Sequence, residues 1–299
     1  MSRRTLDRVP APVVLVGSGT AMYVGAAVAV GLFAAVGAPE VAWLRTAIAA
    51  VVLVAWRRPW RERWTAGRWR AAVAFGLALA VMNVSFYVAI DHLPLGTAVA
   101  IEFTGPVAVA AFTGRGWRER GAIVVAAAGV VLLAGVALDP GPGHDRHDVV
   151  VGLVAIAVAA AAWAAYILLG RNVAAAGSGI TTLAVAMSVG AVALAPPLAA
   201  PAAVAFTEVS LAWRAVVVAL LSSVVPYALE QVVLRRVGAA TFSVLMALLP
   251  ATAAVVGALG LQQVPSAGEL AGLACVTGAL LMTGQLRRRT PPAETPPLV

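Results

Sequence analysis

LGTAVAIEFTGPVAVAAF, residues 95–112, is the stretch whose reading decides the fold. It is apolar enough to enter a bilayer, yet it carries Glu102 near its middle and Gly105-Pro106 three residues on. An ionised carboxylate at the centre of a membrane helix costs about 2.5–3.5 kcal/mol on insertion scales. A helix that accepts Glu102 therefore turns it toward protein or a water-filled cavity. Pro106 has no N–H, and its ring crowds the carbonyl four residues back, which belongs to Glu102 itself. The expectation is a helix broken where the charge sits, with an acid and a free carbonyl at one level. Such a break is tolerable in mid-membrane only where neighbouring helices or a cavity satisfy the loose backbone groups.

The rest of the chain supplies that setting. Of 299 residues, 62% are hydrophobic and 11% charged, against about 25% charged in soluble domains. With a mean hydropathy of +0.94, the composition describes an all-α polytopic membrane protein. The net charge of +8 would point to nucleic acid in a soluble chain. Here the basic residues, all arginine, flank apolar runs, so the expected surroundings are a lipid bilayer and not nucleic acid. The lone Cys275 lies within an apolar run and excludes an internal disulfide or a cysteine metal cluster. The run that follows Arg3, Arg4 and Arg8 is too long for a signal-peptide core and reads as a span.

Ten stretches of spanning length follow, at about 13–37, 40–56, 70–92, 94–113, 119–138, 149–170, 178–201, 211–234, 238–261 and 267–286. Eighteen of the 21 arginines fall in alternate loops or termini, including the cluster at 57–70 and the closing Arg287 to Arg289. The opposite loops collect Glu40, Asp91, Asp139, Asp145, Asp148, Glu208 and Glu269. The positive-inside rule then sets both termini in the cytoplasm. A cytoplasmic segment, 1–12, precedes a first five-helix unit at 13–138. An outer loop at 139–148 leads to a second unit at 149–286, and 287–299 is a disordered cytoplasmic tail. Five spans per unit force the second to enter from the other face, so the architecture expected is ten transmembrane helices as two inverted repeats around a central cavity. Sliding the halves by 144 residues sets Thr97 on Thr241, Pro106 on Pro250 and Ala110 on Ala254, while Glu102 falls opposite Met246.

Candidate functional residues are the polar ones that a span has no packing reason to carry. Glu102 leads, with Thr104, Gly105 and Pro106 around the break; its structural alternative is an ion pair with Arg45 of span two. In span eight, Pro226 frees the carbonyl of Ser222, and Ser223, Tyr227 and Glu230 share one face; Glu230 alternatively pairs with Arg235 or Arg171. Asn83, Tyr23 and Trp163 are the further polar and aromatic candidates deep in spans. Arg45 reads as a snorkelling or structural cation. His144, Asp145, His147 and Asp148 have metal-ligand chemistry but sit in a Gly/Pro-rich loop, and the solvated reading is preferred, so no metal and no cofactor is expected. The absence of a GxxxxGK[ST] loop argues against an ATP-driven pump.

These residues carry a resemblance. Ala100 to Pro106 (AIEFTGP), Val225 to Glu230 (VPYALE), Thr241 to Met246 (TFSVLM) and Leu249-Pro250-Ala251 make the chain, over about 13–286, resemble EamA-type members of the drug/metabolite transporter superfamily. Within it, they are similar to the bacterial inner-membrane threonine/homoserine exporters. The resemblance implies a secondary transporter that exports small amino-acid-like metabolites through an alternating-access cavity. Protons and a small-molecule substrate are its expected partners, in the bacterial plasma membrane. Competing expectations are export of another metabolite or drug on the same fold, and an intramembrane lipid-modifying enzyme using Glu102 as acid or base.

Overall fold

The computed structural model describes residues 9–113, 117–138, 146–175, 179–227, 229 and 246–286. Every regular element among them is helical. Six helical stretches are long and apolar enough to cross a membrane, and four shorter apolar helices accompany them.

The first helix, α1 (Ala11–Val36), turns straight into α2 (Ala38–Arg57) through a single residue, Gly37. Its φ of 89° lies where side chains are strained, and an added Cβ would run into the Glu40 carboxylate. Pro39 opens α2 with the fixed φ a first turn accepts. Helix α3 (Ala66–His92) is capped by Thr65, whose hydroxyl accepts from the Arg68 N–H at 3.2 Å. Then come α4 (Leu95–Glu102), α5 (Thr104–Thr113), α6 (Trp117–Leu138), α7 (Arg146–Ala175) and α8 (Gly179–Ala202). Helix α9 (Val209–Ala219), α10 (Leu249–Gly260) and α11 (Ala267–Leu286) complete the described chain.

Both proline breaks exist, and both are gentler than the sequence implied. Between α4 and α5 only Phe103 leaves the helix, and its φ of −64° stays right-handed. The N–H of Phe103 still reaches the Val99 carbonyl, and that of Val107 reaches Phe103 at a long 3.3 Å. The span is bent at one residue, not severed, because Pro106 removes a single N–H. Ahead of Pro226 the chain widens into a π-turn, Leu220–Val224, closed by the Val225 N–H on the Leu220 carbonyl.

Small residues bring the helices together. Gly76 of α3 meets the backbone of Ala186 in α8, Gly105 of α5 that of Ala160 in α7, and Gly129 of α6 that of Gly272 in α11. Any larger side chain at these crossings would strike a carbonyl. This is how a bundle packs when burial from water no longer drives helix against helix. Side chains at 0–2% exposure, among them Tyr23, Leu32, Tyr87, Val99, Phe103 and Ile156, fill the main core.

Polar bonds hold the two ends of the bundle. At the arginine-rich end Glu62 bonds Arg68 at 2.6 Å and receives the Thr181 hydroxyl at 2.8 Å. Arg57 also reaches Thr181, at 3.3 Å, while Arg68 stacks 3.9 Å over Trp64. At the other end the Thr97 hydroxyl donates to Glu269 at 2.8 Å, and the Leu95 N–H donates to Gln263 at 2.9 Å. Glu269 with Ser266 forms a reciprocal capping box at the start of α11.

Candidate functional site

Glu102 closes α4 at the bend and is half-buried. Its carboxylate makes no hydrogen bond and no ion pair among the described residues, although the Arg45 guanidinium acts on it through space. Arg45 itself corrects the expectation of a snorkelling cation. It is 6% exposed within α2, and its head group stays inside the bundle. Nor is it contact-paired with Glu102. Its Nη1 donates to the Tyr87 hydroxyl at 3.3 Å, its Nη2 donates to Asn83 Oδ1, and its Cζ lies 4.9 Å from the centre of the Tyr87 ring.

The helical period explains the arrangement. Asn83 and Tyr87 are four residues apart on α3, so both present to one face, the face that meets Arg45. Asn83 is 3% exposed. Trp163 of α7 is half-buried, and its ring meets Phe103, the bend residue, edge-on at 4.6 Å between centroids. The structure thus gathers Glu102, Asn83 and Trp163 around α2–α5 and α7, with Arg45 as the link between the first two.

The remaining candidates serve other ends. Thr104 spends its hydroxyl on the Ile101 carbonyl at 2.6 Å, bridging the bend. Gly105 is the close crossing with Ala160, and Pro106 is half-buried beside it. Tyr23 lies in the main core with Tyr87 and Phe103. Pro226 is buried, and its carbonyl accepts the Ser18 hydroxyl at 3.4 Å. Tyr227 packs against a second core around Leu53, Phe75, Leu79 and Met187. Glu230 falls outside the described residues, as do His144 and Asp145. Among the described residues no group of three or more His, Cys, Asp or Glu is set to hold a metal.

Sequence reasoning named Arg45 only as a structural partner of Glu102 or a snorkelling cation, and missed Tyr87 as a member of this cluster. Two signals pointed to them: a cation inside a span is a functional candidate by default, and Tyr87 repeats the Asn83 position one turn on. A cavity of about 740 Å³ does open in the structure, but between α1 and α10, lined by Val16, Thr20, Val24, Leu248, Thr252 and Val255 among others. It is apolar and does not include Glu102.

Residues 150–285 match the EamA-like transporter family. The chain is also 37% identical to the threonine/homoserine exporter RhtA of Salmonella typhimurium (strain LT2), over 89% of this chain and 88% of that protein. Identity to RhtA of Escherichia coli (strain K12) is likewise 37%, over 85% and 84%. The chain belongs to the EamA-like transporter family. A crystal structure of a protein 16% identical superimposes with a TM-score of 0.58, covering 96% of this chain and 99% of its own, which shows a shared fold. This EamA-like protein is therefore a multi-pass membrane transporter, and the enzyme reading of Glu102 is set aside.

Proposed function

We propose that this EamA-like transporter exports small amino-acid-like metabolites, with threonine and homoserine as its model substrates, by exchanging them for protons at Glu102. One observation carries the reading: the Glu102 carboxylate sits half-buried at the bend of a membrane helix without a hydrogen bond or ion pair among the described residues. Ionised, it attracts a substrate ammonium. Protonated, it has lost the charge that held one. Proton and substrate then compete for one group, and a proton arriving from outside displaces the substrate outward. The bend supplies a point about which the inner part of the span can move.

Around this group we read ten spans as two inverted five-helix repeats, 13–138 and 149–286, joined by 139–148. Alternating access to a central cavity takes place between them. Helix neighbours support the pairing. The 144-residue shift carries Phe75 onto Ala219 and Tyr166 onto Met22. The Phe75 and Tyr166 rings stack at 4.3 Å, while Ser222, one turn past Ala219, donates its hydroxyl to the Met22 carbonyl at 3.1 Å. The contact of α3 with α7 thus has a counterpart between α1 and the π-turn that follows α9. The arginine asymmetry supports a bacterial inner-membrane setting with both termini cytoplasmic.

The substrate class is tested by counterflow: purified protein in liposomes loaded with unlabelled threonine, labelled threonine outside, and each of the twenty amino acids as competitor. Exchange of threonine, with homoserine competing, is the expected result. Absence of exchange for every amino acid would overturn the assignment and favour another metabolite or a drug.

A further inference from the structure

We propose that Arg45, Asn83 and Tyr87 form the carboxylate-binding half of the substrate site, so that the transported molecule is a zwitterion held between Arg45 and Glu102. The inference rests on the reading of Glu102 as the group that meets the ammonium.

Arg45 is a full positive charge enclosed in the bundle, and among the described residues its contacts are neutral, an amide oxygen and a phenol. A buried cation normally keeps a carboxylate against it, because neutral acceptors compensate a desolvated charge poorly. Glu102 lies within reach of its field yet forms no ion pair with it. Two opposite charges held near one another without touching are the complement of a small molecule that carries both.

The hydrogen-bond inventory gives the more specific argument. Among the described residues Arg45 Nε is buried without a partner, and so is Asn83 Nδ2. A guanidinium grips a carboxylate best through two parallel N–H donors. On Arg45, the Nε–Nη2 edge has Asn83 Oδ1 on Nη2 and nothing on Nε. A substrate carboxylate that takes the place of Oδ1 receives both donors of that edge. The amide of Asn83, once displaced, turns its unpartnered Nδ2 toward the same oxygens, and Tyr87 remains on Nη1 to hold the guanidinium plane. The two buried donors left without a partner, Arg45 Nε and Asn83 Nδ2, then each have an acceptor, which a carboxylate supplies with about four lone-pair sites. In this conformation the side chains of Arg45 and Asn83 hold each other, closing the site.

The test begins with the parent protein, which needs no variant to fold. In the threonine counterflow assay, L-threoninamide keeps the ammonium and hydroxyl but replaces the carboxylate with a neutral amide. The structure assigns it an apparent affinity weaker by about tenfold or more, the worth of the charge-assisted bonds it cannot make. Asn83→Asp then places a carboxylate on Arg45 from the chain itself. It is expected to keep the parent's melting temperature in detergent and to lose threonine affinity by a similar factor. Threoninamide competing as well as threonine would overturn the assignment while leaving amino-acid exchange standing. So would parent-like threonine affinity in Asn83→Asp. A parent that exchanges no amino acid at all would remove the functional reading and this inference with it.

Discussion

Glu62 shows how a single side chain organises one end of the bundle. Its two oxygens take Arg68 and Thr181, and through Thr181 they meet Arg57, so the loop after α2 is bonded to the start of α8. Arg68 is 9% exposed, and its Nε already lacks a partner. Glu62→Ala would strip it of the only carboxylate it meets among the described residues, and the expected loss is about 1.5–3 kcal/mol, the range for hydrogen bonds to charged groups. Thermal unfolding in detergent checks this, with an unchanged midpoint counting against the network's role. At the opposite end, Thr97→Val keeps the volume but removes the bond to Glu269, for an expected loss of about 1–2 kcal/mol. At this scale the sequence was only partly legible. Glu102 announced itself, because an acid inside an apolar run has no packing reason to be there. Arg45 did not, because a cation near the end of a span has a cheap alternative in reaching for water. Only the position of α3, which brings Asn83 and Tyr87 against it, excludes that alternative.

In the proposed mechanism the two bent spans carry the motion that transport requires. Pro106 withholds one N–H from the Glu102 carbonyl, and the long Val107-to-Phe103 bond shows the turn loosened beside it. Pro106→Ala restores a donor there and should straighten the span, leaving expression near parent level while lowering the transport rate. Equal rates in Pro106→Ala and Pro226→Ala against the parent would reduce both bends to packing features. Gly105→Leu acts on the same span by another route: its side chain would meet the Ala160 carbonyl, for an expected cost of about 1–3 kcal/mol as overpacking. Spans were the most legible feature of the sequence. Runs at 70–92 and 119–138 correspond to α3 and α6 within a few residues, since apolar length is a strong signal. The depth of the breaks was not legible. A proline fixes which bond is lost, but whether one residue or a whole turn then leaves the helix depends on what packs around it. At residue 103 that is Val99 within the helix and Trp163 across from it.

For the molecule as a whole, the proposed orientation rests on where the arginines lie. Reporter fusions at Trp64, Arg171 and Leu298 should report the cytoplasm and one at Gly143 the outside; a cytoplasmic signal at Gly143 would break the two-repeat arrangement. The repeats themselves were faint in sequence, since Ala and Val match by chance. They gain support from matched helix contacts, the stacked Phe75–Tyr166 pair against the Ser222–Met22 bond. The apolar cavity between α1 and α10 was not legible, because its walls come from helices far apart in the chain. The central claim is that one carboxylate, Glu102, is shared in turn by proton and substrate. Threonine uptake into inverted membrane vesicles, energised by an interior-acid pH gradient, tests it by comparing the parent with Glu102→Gln. The parent is expected to accumulate threonine and to lose it when the gradient collapses, while Glu102→Gln, present at equal amount, accumulates none. Gradient-driven accumulation persisting in Glu102→Gln would contradict the shared-carboxylate mechanism.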